Sequence, residues 1–272
     1  MLPLAVGISA LDARRAFSRG GCPEGHLSTM KKTQWQYLRR DEIRRFAQED
    51  AVVVIPVASI EQHGEHLPVN TDASNCWSIT TRAAETIDGF PVVVAPVVAP
   101  GYSPHHMAHA GSISLSFDTF VRVLTETAVA VHSHGFRKIL LLNGHGGNSA
   151  IVSAMRLKLS AEQDISVVCY TYWDLPGVSP AWRSISETDA GFVGHAGEVE
   201  TSLQLYLQPE LVKMDGARWV PGMYGNPERA SREKGEQFFN AAVAGLVEVL
   251  TELHSGALER RLEWNGVQVP IE

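Results

Sequence analysis

Two runs of branched apolar residues, AVVVIPVAS at 51–59 and FPVVVAPVV at 90–98, have no polar face. A strand apolar on both sides belongs in a parallel sheet covered by helices above and below. The stretch FDTFVRVLTETAVAVHSHG (117–135) switches to a helical period, with Phe120, Val121, Leu124, Ala128 and Val131 as its apolar positions. Asp118 is the expected N-cap and Gly135 the expected stop. KILLLN (138–143) then predicts a strand, NSAIVSAMRLKLSAEQ (148–163) a helix and ISVVCYTYW (165–173) a strand. Further helices are expected at about 197–207 and 233–255. This alternation predicts an α/β fold, a three-layer α/β/α sandwich with a mostly parallel central sheet and right-handed crossovers. In such sheets ligands bind beyond the carboxyl ends of the strands.

Composition narrows the field only modestly. A chain of 272 residues with 44% hydrophobic content can bury a sizeable core, and nothing in it approaches the uninterrupted apolar length of a membrane span. The formal net charge of −7 speaks against a general nucleic-acid or anionic-membrane partner, since both need a basic face. Cys22, Cys76 and Cys169 are far apart, so neither a disulfide framework nor a thiolate zinc site is expected, which fits a reducing compartment. Residues 1–29 lack a basic segment ahead of their short apolar stretch and do not read as a secretory signal. They are read as a loosely attached extension, with a natural protein start at Met30 and a single domain over residues 30–272. Cytoplasmic localisation is the default expectation.

The chemistry concentrates at strand ends. The run IPVASIEQHGEHLPVNTD (55–72) leaves its strand and delivers Glu61, His63, Glu65, His66 and Asp72 in quick succession. NGHGGN (143–148) follows a second strand and places His145 among glycines that let backbone approach a ligand. GHAGEVETS (194–202) adds His195, Glu198 and Glu200. A histidine and carboxylate set without thiolates suits zinc, manganese or iron(II), and a set of this size suits two divalent metal ions bridged by one carboxylate, with Asp72 the natural bridge. Glu65 reads as solvated surface, and His66 as a packing histidine behind the ligands. His105, His106 and His109 fit a surface loop and a pocket wall equally well. His132 and His134 close a helix. Asn148 and the backbone of Gly146 and Gly147, at a helix start, are candidates to hold a substrate carboxylate or carbonyl. His195, with a reference pKa of roughly 6.5, is the candidate to protonate a departing nitrogen. No G-x-S-x-G elbow supports serine hydrolase chemistry.

The first block resembles that of the creatininase (creatinine amidohydrolase) family: apolar strand, Glu-Gln-His-Gly, His-Leu-Pro, Thr-Asp. LLLNGHGGN and HAGEVETSLQLYLQPELV are similar to that family's second and third blocks, in order. GYSPHHMAHAGSISLS is similar to another of its segments, and its Tyr102 and Ser103 are candidates to bind substrate. The resemblance spans about residues 33–213. It implies a metal-dependent amide hydrolase, commonly a homohexamer, in which Glu61 binds one metal, His63 and His145 the other, and Asp72 bridges them. Where creatininase has a glutamate in the second block, this chain has Gly147. Glu198 is therefore expected to complete the metal set, with Glu200 as its competitor and otherwise a catalytic group. Gly191 stands where creatininase has the tryptophan that covers creatinine, while Trp173 matches an aromatic lining the substrate pocket. The expected substrate is thus a small amide other than creatinine. Deformylation, trimming of a cofactor-precursor peptide, and a catalytically idle metal- or metabolite-binding role are the alternatives.

Overall fold

The computed structural model describes residues 33–187 and 194–258. The expected extension at 1–29 and the substitution point at Gly191 lie outside the described residues. In chain order the elements are α1 (Arg40–Gln48), β1 (Val52–Val57), α2 (Thr71–Thr86), β2 (Val92–Val94), α3 (Phe117–Ser133), β3 (Lys138–Asn143), α4 (Ser149–Gln163), β4 (Val168–Thr171), α5 (Val178–Ile185), α6 (Glu198–Leu207) and α7 (Arg232–His254).

The strands form one sheet in the order β2-β1-β3-β4, and every pairing is parallel. Alternate residues of β1 feed two separate cores. Val52 and Val54 pack with α2, α5, α6 and α7 on one face, whereas Val53, Ile55 and Val57 pack with α3 and α4 on the other. This is the three-layer α/β/α sandwich expected from the sequence. Full burial of each such branched side chain is worth about 1.5–3 kcal/mol, so the doubly covered strands anchor the fold.

The strand order also fixes where a ligand can sit. After β1 the chain goes to β2 on one side, then crosses over to β3 on the other, so the gap between the ends of β1 and β3 is a topological switch point. Val57 is in register with Asn143, which sets the loops after β1 and β3 side by side.

Local differences from the expected elements have local causes. Ser116, not Asp118, is the N-cap of α3, accepting from Thr119 N. Asp118 lies two residues further in, still in the first turn, where a carboxylate favours the positive helix end. The predicted strand at 90–98 shortens to Val92–Val94 because Pro96 has no N–H to offer a ladder, although Val98 N rejoins the sheet by bonding Pro56 O at 2.8 Å. The strand predicted at 165–173 contracts to Val168–Thr171. Among the described residues no helix is long and apolar enough to cross a membrane.

Candidate active site

The loop leaving β1 folds back on itself through Glu61 N bonding Val69 O at 3.0 Å, with Gly64 at φ +70° supplying a turn that other residues rarely adopt. Glu61 and His63 are thereby driven inward and fully buried. His63 Nδ1 donates to the carbonyl of Glu61 at 3.1 Å, leaving Nε2 to face Asp72 Oδ1 at 3.1 Å and Glu200 Oε2 at 3.6 Å. Asp72 occupies the first turn of α2, where the helix dipole favours its negative charge. Its other oxygen, Oδ2, lies 3.1 Å from Nδ1 of His145, and the same Nδ1 lies 3.1 Å from Glu61 Oε1.

These atoms have the properties of a metal ligand set. Both Glu61 oxygens, Asp72 Oδ2 and His63 Nε2 are buried without a hydrogen-bond partner. An unpartnered buried polar atom is costly, and several facing one another are costlier. Ligands bonded at about 2.1 Å to a shared ion stand roughly 3.0–3.4 Å apart, and His63–Asp72, His145–Asp72 and His145–Glu61 are each at 3.1 Å, with His63–Glu200 wider at 3.6 Å. His63, Asp72 and Glu200 form one such group, Glu61, His105 and His145 a second, and Glu61, His63 and His195 a third. The residues present therefore fit divalent cations, and the two faces of the Asp72 carboxylate look toward different histidines.

The electrostatics agree. Burial works against the charged forms of His63 and His145, but the facing carboxylates outweigh it: His63 is held well above its usual value by Asp72 and Glu200, and His145 is pushed up to about 10 by Asp72 and Glu61. Burial likewise opposes ionisation of Asp72, yet His63 and His145 hold it well below the carboxylate range; Glu61 is lowered despite burial, chiefly by His145. Protons on the two histidines here balance charge that cations would otherwise balance.

His195 reaches the edge of this cluster. Its Nε2 donates to Gln62 O at 2.7 Å, which turns Nδ1 toward Glu61 Oε1 at 3.5 Å. Burial lowers the pKa of His195, so the ring is neutral near pH 7. His106, whose role the sequence left open, stacks on His195 with ring centroids 4.2 Å apart and presents Nε2 to Glu61 Oε1 at 3.6 Å. Burial pushes His106 down to about 4. Gln62 ties the pair together, donating to His106 Nδ1 at 3.0 Å and to Gly222 O at 2.7 Å.

The structure brings Glu61, His63, Asp72, His145, His195 and Glu200 to one place. Its grouping differs from the expected one, for His63 and His145 face opposite oxygens of Asp72 rather than a common position. Glu198 is not brought to the cluster. Its carboxylate accepts from Lys234 Nζ at 2.8 Å, from the Ser186 hydroxyl at 2.7 Å and from Glu187 N at 3.0 Å. Glu200, two positions on, faces inward instead.

Three residues expected to touch substrate serve as scaffold. Asn148 is fully buried, with Oδ1 accepting from Tyr102 N and Nδ2 donating to Ala58 O. The Ser103 hydroxyl, also buried, lies 2.5 Å from that of Ser59 and 3.0 Å from His145 Nε2. Tyr102 sets its ring edge-on to Phe117, and its carbonyl lies 3.3 Å from His145 Nε2. Trp173 and Gly146 do line the cavity above the cluster, which holds about 760 Å³. His66 packs behind the ligands with Nε2 2.9 Å from the Thr201 hydroxyl, and Glu65 is exposed beside Arg218.

Comparison with known proteins adds a consistent picture. The family model described as Creatininase: Creatinine amidohydrolase matches residues 36–250. The chain is 29% identical over 243 residues to the creatinine amidohydrolase of Pseudomonas putida, covering 76% of this chain and 92% of that protein. It is 30% identical over 220 residues to the mycofactocin precursor peptide peptidase of Mycolicibacterium smegmatis, covering 71% of this chain and 82% of that protein. The solved structure described as Creatininase Mn superimposes with a TM-score of 0.70 at 29% identity, covering 82% of this chain and 98% of that one.

Proposed function

The chain belongs to the creatininase family, and from that premise we propose that it is a metal-dependent amidohydrolase acting on a small amide other than creatinine. Two divalent metal ions, zinc, manganese or iron, are assigned to the two sides of Asp72. Glu61, His145 and Asp72 would hold one; His63, Glu200 and Asp72 would hold the other. Bound there, the ions would lower the pKa of water toward neutrality and polarise the amide carbonyl. The observation that carries the proposal is the set of buried, unpartnered ligand atoms of Glu61, His63 and Asp72.

The remaining steps fall to the chain's own groups. Neutral His195 takes up a proton and returns it to the departing nitrogen, and stacking on His106 with the bond to Gln62 O fixes its orientation. Glycine at 146 leaves the cavity wall open, and Trp173 supplies an aromatic surface for the substrate. A cavity of about 760 Å³ accommodates a ligand well beyond the size of a single small ring, which is consistent with amides as large as a short peptide. Homo-oligomeric assembly follows from the same family reading and is open to sedimentation analysis.

The test is a metal count and an amide-hydrolysis screen on His195→Ala and Asp72→Asn. His195→Ala should keep its metal and lose turnover, while Asp72→Asn should lose both. Loss of metal in His195→Ala would make that residue a ligand, and full metal with no turnover of any amide by the intact protein would favour an idle binding protein.

A further inference from the structure

Basic side chains can show what a hydrolase site expects of its substrate. Three are committed elsewhere, Arg137 and Lys138 at the amino end of β3, away from the site loops, and Arg218 beside Glu65. Arg137 donates to the carbonyls of His132 and Phe136, Lys138 is paired with Asp50, and Arg218 reaches Glu65 at 3.3 Å. Arg183 differs. It lines the same cavity as Glu61, Asp72, His145 and Glu200, and it is the one Lys or Arg among the lining residues.

Arg183 is exposed, but the helix that carries it is anchored. Arg183 follows Trp182 in the last turn of α5, and Trp182 is buried with Nε1 donating to Phe238 O at 3.0 Å. Glu187, four positions on but beyond the end of α5, is taken by Lys234 Nζ at 2.6 Å and Arg229 Nη1 at 3.3 Å. Asp174 lies on the same cavity wall, yet no ion pair joins Arg183 to it or to any other carboxylate among the described residues. A guanidinium over a cavity, without an acidic partner, is built to pair with a planar or tetrahedral oxyanion. Charge balance permits this: three carboxylates against two divalent ions leave the cluster about +1, so an anion is not repelled.

We propose that Arg183 is the specificity-determining residue of the cavity and that the substrate is an anionic amide, carrying a carboxylate or phosphate on the part remote from the scissile bond. This rests on the amidohydrolase reading above.

The probes are N-formyl and N-glycyl ω-amino acids of increasing chain length, each beside its neutral carboxamide, and the corresponding aminoalkyl phosphates beside the free alcohols. Kinetics on metal-loaded wild type should favour the charged member of a pair at least 10-fold in kcat/KM. Arg183→Gln should raise KM for that member by a similar factor, with kcat little changed and the neutral member unaffected. Preference within the acid series identifies a carboxylate, and within the phosphate series a phosphate. Equal turnover of charged and neutral members, or equal losses in Arg183→Gln, overturns the proposal while leaving amide hydrolysis intact. If no amide is hydrolysed, calorimetric titration with the same pairs still decides it: charge-selective binding lost in Arg183→Gln supports the anion site and refutes only the hydrolase reading, and binding blind to charge refutes the anion site as well.

Discussion

The hydroxyl of Ser103 lies 3.0 Å from Nε2 of His145, and Nδ1 of the same ring lies 3.1 Å from both Glu61 and Asp72. A hydrogen bond from Nε2–H to Ser103 fixes the tautomer that leaves Nδ1 free to ligate, and Ser59 in turn holds Ser103. Ser103→Ala should therefore weaken metal binding about 10- to 100-fold with the fold unchanged, since partners behind a ligand commonly carry that much. Competition titration against a chelator measures it. Unaltered affinity would return Ser103 to the substrate-facing role expected from the sequence.

Glu198 and Glu200 make opposite predictions. Glu200→Gln removes a carboxylate facing His63 and should strip one metal while leaving the α6 start folded. Glu198→Gln should keep the metal count. It leaves Lys234 without its fully buried partner and the Glu187 amide with a weaker acceptor, so stability should fall by roughly 2–4 kcal/mol. Metal analysis and thermal unfolding on the two variants separate the assignments; metal loss in Glu198→Gln would reverse them.

Strands β1 and β3 were legible because uninterrupted branched residues leave few alternatives, and Lys138–Asn143 is bounded as the pattern indicates. Glu61, His63, Asp72 and His145 were legible because loops at two strand ends had to meet at one sheet edge. The choice between Glu198 and Glu200 was not. Residues two apart on a helix point about 200° away from each other, so one faces the cluster and the other leaves it. Which is which depends on Lys234, far along the chain and on a different helix. Asn148 and Ser103 misled for a related reason. A polar residue in a loop beside a site reads as substrate-facing, yet here each satisfies buried groups, Ala58 O for one and His145 for the other. His106 joins the site through tertiary contacts with His195, Gln62 and Glu61, which no spacing in SPHHMAHAG reveals.

The metal-free protein should have an unusual pH profile. His145 has its pKa raised to about 10, so its stabilising contribution is complete below about pH 6.5 and is lost as pH rises through 10. Asp72 and Glu61 are lowered, so theirs is complete above about pH 4.5 and lost on acidification. Chelator-treated protein should then be most stable near pH 5–6.5 and lose on the order of a few kcal/mol toward pH 10. Metal binding must expel protons from His63 and His145, so affinity should rise over the same range. Melting curves with and without metal at pH 5.5, 7.5 and 9.5 should diverge steadily as pH increases. Parallel curves would mean the histidines are not protonated in place of cations.

Gly147 bears on the proposed assignment of an acidic ligand to α6. A Cβ at this position would stand 2.5 Å from Nε2 of His145, 2.7 Å from Tyr102 O and 2.8 Å from His105 Cε1. One of those neighbours is backbone and another is a ring already fixed by Ser103, so the contact cannot be relieved by a flexible side chain. Introducing glutamate here, as the resemblance to creatininase suggests, should not rebuild a creatininase-like ligand set. Gly147→Ala alone should displace the His145 ring and weaken metal binding at least 10-fold, and Gly147→Glu should do no better. A Gly146→Ala control should be nearly silent, because nothing lies within 4 Å of a Cβ at that neighbouring position. Chelator competition on the three variants decides the point: tight metal in Gly147→Glu, above all in a Glu200→Gln background, would show that the second-block carboxylate can still be accommodated and that steric exclusion by His145 and Tyr102 is not what moved the ligand to Glu200.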